Sequence, residues 1–362
     1  MQNCKTIALT QRVFLIDPSK TTSYTSSIVP NPNEAAPLPT LDPGLIYRDQ
    51  PQTKVQLQVP NPDNPSWGIG GALLVWFVSI LLVVFMPLVF LIPYASYKGI
   101  DFGVPNYLPT LVEFATNDKT AILLQLLALF PSHVITFLLV WALVTRFGRQ
   151  SFWAAIGWEW PRQFPWWLDV MLCVLLGIVL FVIGNVIARL LGAGKPTPLE
   201  QIINSSLAAR YTISFLAVFT APFVEEFIYR GVLYSALRKT VGVNAALLLA
   251  SLFGVKLDPH SQDRLGVSGA VVLVLALFTI IHVPQYWPNV GVIAAVALLS
   301  IVLTLVRAYS GRLLPCIIIH LVFNGIQAVL LVLEPFVRRF LPTTDPVAPT
   351  AGLLLSLINF CL

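Results

Sequence analysis

From Gly68 onward the chain is a succession of long apolar runs separated by short polar stretches, and no other feature limits its fold so strongly. About 20 apolar residues are needed to cross the hydrocarbon core of a bilayer as a helix. A backbone in lipid must also satisfy its own hydrogen bonds, which leaves helices and closed barrels. Runs near 69–95, 120–145, 166–191, 209–236, 243–255, 267–286, 289–309 and 312–333 predict an all-α, polytopic membrane helix bundle of about eight transmembrane helices. The run 243–255 is short and ends in the polar KLDPHSQDRLG, so it is expected either to enter from one face without crossing or to form half of a broken helix. Only 11% of the residues are charged and 56% are hydrophobic, against roughly 25% charged in a soluble domain.

Residues 1–66 hold five basic and five acidic residues and many prolines, a composition expected to form a polar, Pro-rich N-terminal tail rather than a packed core. TKVQLQV within it alternates well enough for a short strand. The bundle is expected over 67–338 and a C-terminal tail over 339–362, where AGLLLSLINFCL is too short to span comfortably and suits the interface. The net charge of +5 comes from residues lying mostly between apolar runs, where they report topology. The partner implied is the lipid bilayer, with no nucleic acid. If all eight runs cross, Arg146, Arg149, Arg162, Arg238, Lys239, Arg338 and Arg339 share the N-terminal side, while Lys98, Lys119, Lys195, Arg210, Lys256, Arg264, Arg307 and Arg312 fall opposite. That near balance leaves a cytoplasmic N-terminus as the simpler arrangement, because MQNCKTIALTQRVFL lacks the apolar core and cleavage site of a removable signal. Cys4, Cys173, Cys316 and Cys361 are too scattered for a CxxC site and read as ordinary thiols.

Three of the apolar runs carry polar groups that are costly at membrane depth. APFVEEFIYRG places Glu225, Glu226 and Arg230 in one of them, and a charged side chain at mid-bilayer costs roughly 3 kcal/mol on insertion scales. Glu226 and Arg230 are four apart and can pair, whereas Glu225 lies about 100° round the helix. LFTIIHVPQYW brings Phe278 and His282 to one face of a second helix, and CIIIHLVFNGI does the same for His320 and Asn324 on a third. A lone intramembrane histidine or amide commonly serves helix packing. Two histidines, an amide and a carboxylate pair on three helices point instead to a polar functional pocket.

In order and spacing these motifs resemble those of the CAAX protease and bacteriocin-processing (CPBP) group of intramembrane glutamic proteases, which includes the type II CAAX prenyl endopeptidases. EExxxR is met by Glu225, Glu226 and Arg230, FxxxH by Phe278 and His282, and HxxxN by His320 and Asn324, over residues 197–333. The resemblance implies a metal-independent endopeptidase, without cofactor, acting on a membrane peptide or protein substrate. It implies that Glu225 and His282 activate a water, that His320 and Asn324 stabilise the oxyanion, and that Glu226, Arg230 and Phe278 support the site. The expected setting is an integral, multi-pass protein in the cell membrane of a bacterium. Two departures, the polar turn near 255–266 and the long N-terminal tail, bear on substrate access more than on chemistry.

Other chemistries fit less of the chain. There is no HExxH, and Asp169 alone among the acids of the runs is an aspartate, so an aspartyl pair cannot be built. Gly266-Val267-Ser268-Gly269 matches the GxSG of rhomboid serine proteases, but Ser268 is expected to be an N-cap where a helix begins. His282, His320 and a glutamate are acceptable zinc ligand types. A non-enzymatic transporter or bacteriocin-immunity-type binding protein would use the same charges to line a path, although no internal repeat is visible. His133, Asn185 and Arg189 read as bundle contacts or helix-end groups, and His260 as solvated.

Overall fold

The computed structural model describes residues 60–161, 164–191 and 197–340. The tail expected for residues before 60, the strand in TKVQLQV and the interfacial placement of AGLLLSLINFCL lie outside them. The described chain is helical, with one isolated bridge between Asn61 and Asn64. Its helices are α1 (Ile69–Tyr97), α2 (Tyr107–Asn117), α3 (Lys119–Thr145), α4 (Phe152–Ile156), α5 (Trp166–Leu190) and α6 (Pro198–Ser205). There follow α7 (Leu207–Phe219), α8 (Ala221–Glu226), a π-helical turn (Phe227–Leu233), α9 (Tyr234–Phe253), α10 (Pro259–Tyr286), α11 (Val290–Ser310) and α12 (Leu314–Phe340).

The all-α polytopic bundle is thus as expected, with seven rather than about eight helices among the described residues long and apolar enough to cross a membrane. The difference lies at 243–255. Residues 207–253 form one helical run, broken only by local changes of winding, so the short apolar segment is the far end of α9 and no separate span. From Leu207 to Arg238 that run already measures about 47 Å at 1.5 Å per residue. A bilayer with its headgroups is about 40–45 Å thick, so the part beyond Arg238 is surplus to a single crossing. It pairs antiparallel with the start of α10. The polar residues expected to form a long turn instead build the first turns of α10: Asp258 caps it by accepting from the backbone N–H groups of His260 and Ser261.

Close helix contacts rest on small residues, as packing between helices in lipid requires. A Cβ on Gly266 of α10 would stand 2.3 Å from the carbonyl oxygen of Arg238, so only glycine lets α9 and α10 approach this closely. The N-terminal end of the bundle is tied together by residues 60–67. Asp63 pairs with Arg238 at 3.0 Å and with Arg307 at 2.9 Å, Arg146 donates to the Ser66 carbonyl, and the Trp67 indole donates to the carbonyl of Val232. Arg307 therefore stands at the same end as Arg146 and Arg238, and not opposite them, because the run 207–253 counts once.

Candidate active site

Three helical segments bring the motif residues together. Glu225 and Glu226 end α8, immediately before the π-helical turn that carries Arg230; His282 stands near the end of α10; His320 and Asn324 stand on α12. The two glutamates lie in very different surroundings. The side chain of Glu226 is fully buried and its Oε1 accepts from Arg230 Nη1 at 2.9 Å and from His320 Nδ1 at 2.9 Å. Arg230 is also fully buried, and its Nη2 donates to the backbone carbonyl and the hydroxyl of Ser300 on α11. Glu225 is 24% exposed, with Oε1 4.0 Å from His282 Nε2 and Oε2 3.8 Å from His320 Nε2.

The hydrogen bonds fix which nitrogens carry protons. His282 Nδ1 lies 2.7 Å from the Phe278 carbonyl, which can only accept, so Nδ1 holds the hydrogen and Nε2 faces Glu225. The carboxylate of Glu226 imposes the same arrangement on His320. Both histidines therefore turn Nε2 toward one carboxylate across gaps longer than a direct hydrogen bond and suited to a bridging water. Asn324 Nδ2 donates to the Ala217 carbonyl of α7 at 2.8 Å, which leaves its second amide hydrogen uncommitted. Phe278 is the partition of the site. Its ring lies 4.5 Å from the His282 ring, 4.7 Å from the Arg230 guanidinium carbon and edge-on to Tyr229.

Sequence spacing identified these residues but missed three features. The bond from Glu226 to His320 joins helices 94 positions apart, and no local pattern announces it. The π-helical turn, in which the Tyr234 N–H reaches back to Tyr229, has no sequence signature either, although such turns recur at functional sites. His133, read as a bundle contact, does bond another helix through Thr220 at 2.9 Å. It also lies within electrostatic reach of Glu225.

Ser268 is not where a nucleophile or an N-cap would be. It is exposed in the interior of α10, well inside the start of that helix at Pro259, and fourteen residues, about 21 Å, from the level of His282. The flanking Gly266 and Gly269 pack against α9, which accounts for the GxSG pattern. Asp169 is bound by both terminal nitrogens of Arg312 at the start of α5. Among the described residues, no group of three or more His, Cys, Asp or Glu is disposed to hold a metal ion.

Residues 208–326 match the family model described as Type II CAAX prenyl endopeptidase Rce1-like. The match spans about a third of the chain, includes all three motifs and bears out their resemblance to the CAAX proteases. It supports a peptidase carried on an integral, multi-pass membrane bundle. Neither a curated protein nor a solved structure matches.

Proposed function

We propose that the chain is an intramembrane glutamic endopeptidase that hydrolyses peptide bonds in membrane-associated or lipidated peptides of a bacterial cell membrane. The observation that carries this reading is the convergence of His282 and His320, from two helices, on the partly open carboxylate of Glu225 while its neighbour Glu226 is buried and fully engaged. Spacing alone left either glutamate eligible as the base; accessibility favours Glu225.

In the reaction, water is held between Glu225 and the Nε2 lone pair of His282. Its oxygen bonds to the peptide carbonyl carbon as Glu225 takes one proton, and the carbonyl electron pair moves onto oxygen. Asn324 donates its free amide hydrogen to that oxyanion, and His320 donates from Nε2 when doubly protonated. Collapse breaks the C–N bond, and the proton on Glu225 passes to the departing amine. The products are a carboxyl and an amine end. Glu226, Arg230 and Phe278 hold these groups in place without touching the substrate. The bundle of residues 67–338 carries the machinery.

The test uses full-length protein in liposomes with a fluorogenic prenylated peptide, together with proteomics of membranes from cells. Glu225→Gln is nearly isosteric but cannot take the proton, so it should abolish cleavage while the protein inserts and melts normally. Turnover at the wild-type rate by folded Glu225→Gln refutes the assignment. Chelators should leave the activity unchanged in protein shown to be free of stoichiometric zinc; loss on chelation that zinc restores would replace the glutamate mechanism with a metal one.

A further inference from the structure

The three motifs supply the site with acceptors more readily than with donors. Singly protonated His282 and His320 both spend their hydrogens on Nδ1 partners, and Asn324 has one hydrogen to offer. A developing oxyanion in a water-poor site is stabilised by preorganised donors, so a further neutral donor beside Glu225 would matter.

Tyr286 occupies such a position. It follows Phe278 and His282 at four-residue spacing, so the three rings form a ladder on one face of α10. Its ring is nearly parallel to that of His282, at 11° and 6.5 Å between centroids. Among the described residues its hydroxyl has no hydrogen-bond partner, although the side chain is half-buried. The other phenol near the carboxylate, Tyr229, accepts from the Trp76 indole at 2.9 Å and is only 2% exposed, whereas Tyr286 is partly open to a substrate. Both phenols lie within electrostatic reach of Glu225. None of the three motifs includes Tyr286.

We propose that Tyr286 is a further catalytic residue, its hydroxyl donating a hydrogen bond to the substrate carbonyl oxygen as that oxygen becomes the oxyanion. The phenol keeps its proton throughout and acts as a neutral donor beside Asn324. This rests on the endopeptidase reading above.

Tyr286→Phe removes the hydroxyl and keeps the ring. In the liposome assay with the prenylated peptide it should lower kcat by about 10²-fold, the usual cost of one oxyanion donor, with KM within about twofold of wild type. Thermal stability should not change, because no internal hydrogen bond is lost. Fluorotyrosines of graded acidity placed at 286 should give rates that follow the acidity of the phenol, a dependence that a packing role cannot produce. A wild-type kcat in Tyr286→Phe, or a loss confined to KM, overturns the proposal.

A measurement without substrate separates the two readings. The absorbance titration of a fluorotyrosine at 286 should shift by more than about half a pH unit when Glu225→Gln is added, since charges even about 10 Å apart at an effective dielectric near 20 interact by more than that. No shift means that the phenol does not face Glu225, and this proposal falls whether or not the peptide is cleaved. A shift in protein that cleaves no peptide leaves Tyr286 beside Glu225 and removes the endopeptidase reading, and with it the catalytic role proposed here.

Discussion

Glu225 and Glu226 are adjacent and chemically identical, yet one is spent on structure and the other faces a gap between two histidines. A period of 3.6 residues separates their directions, and from there the neighbours decide. The Glu226–Arg230 pair was legible because it is local to one helix. Which of the two stays partly open was not, because it depends on His320 arriving from α12 to take Glu226. Removing one partner of a buried pair leaves an uncompensated charge, which costs about 3–5 kcal/mol. Arg230→Ala should therefore lower the thermal midpoint sharply and reduce activity with it; a midpoint equal to wild type would deny the pair its structural role. Asn324→Ala should cut kcat by about 10²–10³ with little change in KM. It should also cost about 1 kcal/mol of stability through the lost bond to Ala217. A change confined to KM would move Asn324 from oxyanion stabilisation to substrate recognition.

At the scale of helices, apolar runs forecast where spans lie but not how they join. Residues 237–242 are polar enough to look like a loop, yet α9 continues through them because Arg238 is paired with Asp63 and Asp263 and its backbone bonds remain intact. The π-helical turn just upstream was illegible for the same reason, since tertiary contacts on Arg230 and Tyr229 select it. The GxSG pattern shows how a motif can be real and mean something else. Its glycines serve the α9–α10 seam, and the serine between them faces outward. Gly266→Ala should push the two helices apart and lower the thermal midpoint, because the obstructing atom is backbone and cannot rotate away. Gly70→Ala, with nothing within 4 Å, is the matched control and should melt at or above the wild-type temperature. Ser268→Ala should fold and cleave as wild type does; loss of turnover in folded Ser268→Ala would revive a serine mechanism.

Across the whole molecule, the count of spans decides which polar segments share a face of the membrane. Asp63 joins Arg238 and Arg307, Arg238 in turn holds Asp263, and Ser66 is held by Arg146, so all of these stand at one end of the bundle. Lys98 follows α1 and Lys119 opens α3 at the other end, where Arg210 pairs with Glu334. The first end also takes Arg149, Lys239, Lys256, Arg264 and Arg312 in the described connections, giving it the larger share of basic residues. The bias of Lys and Arg toward the cytoplasm then predicts residues 60–67 on the cytoplasmic side, the side favoured from sequence on other grounds. Lys256 discriminates most sharply between the two counts. With 207–253 as one crossing it shares a face with Asn64; were 243–255 a separate span, it would share one with Asp101. Single cysteines introduced as Asn64→Cys, Lys256→Cys and Asp101→Cys in a background without native cysteines can be labelled in intact cells by a membrane-impermeant thiol reagent. Asp101→Cys should react from outside, while Asn64→Cys and Lys256→Cys should react only after the membrane is opened. Labelling of Lys256→Cys together with Asp101→Cys would restore an eighth span and undo the packing of α9 on α10.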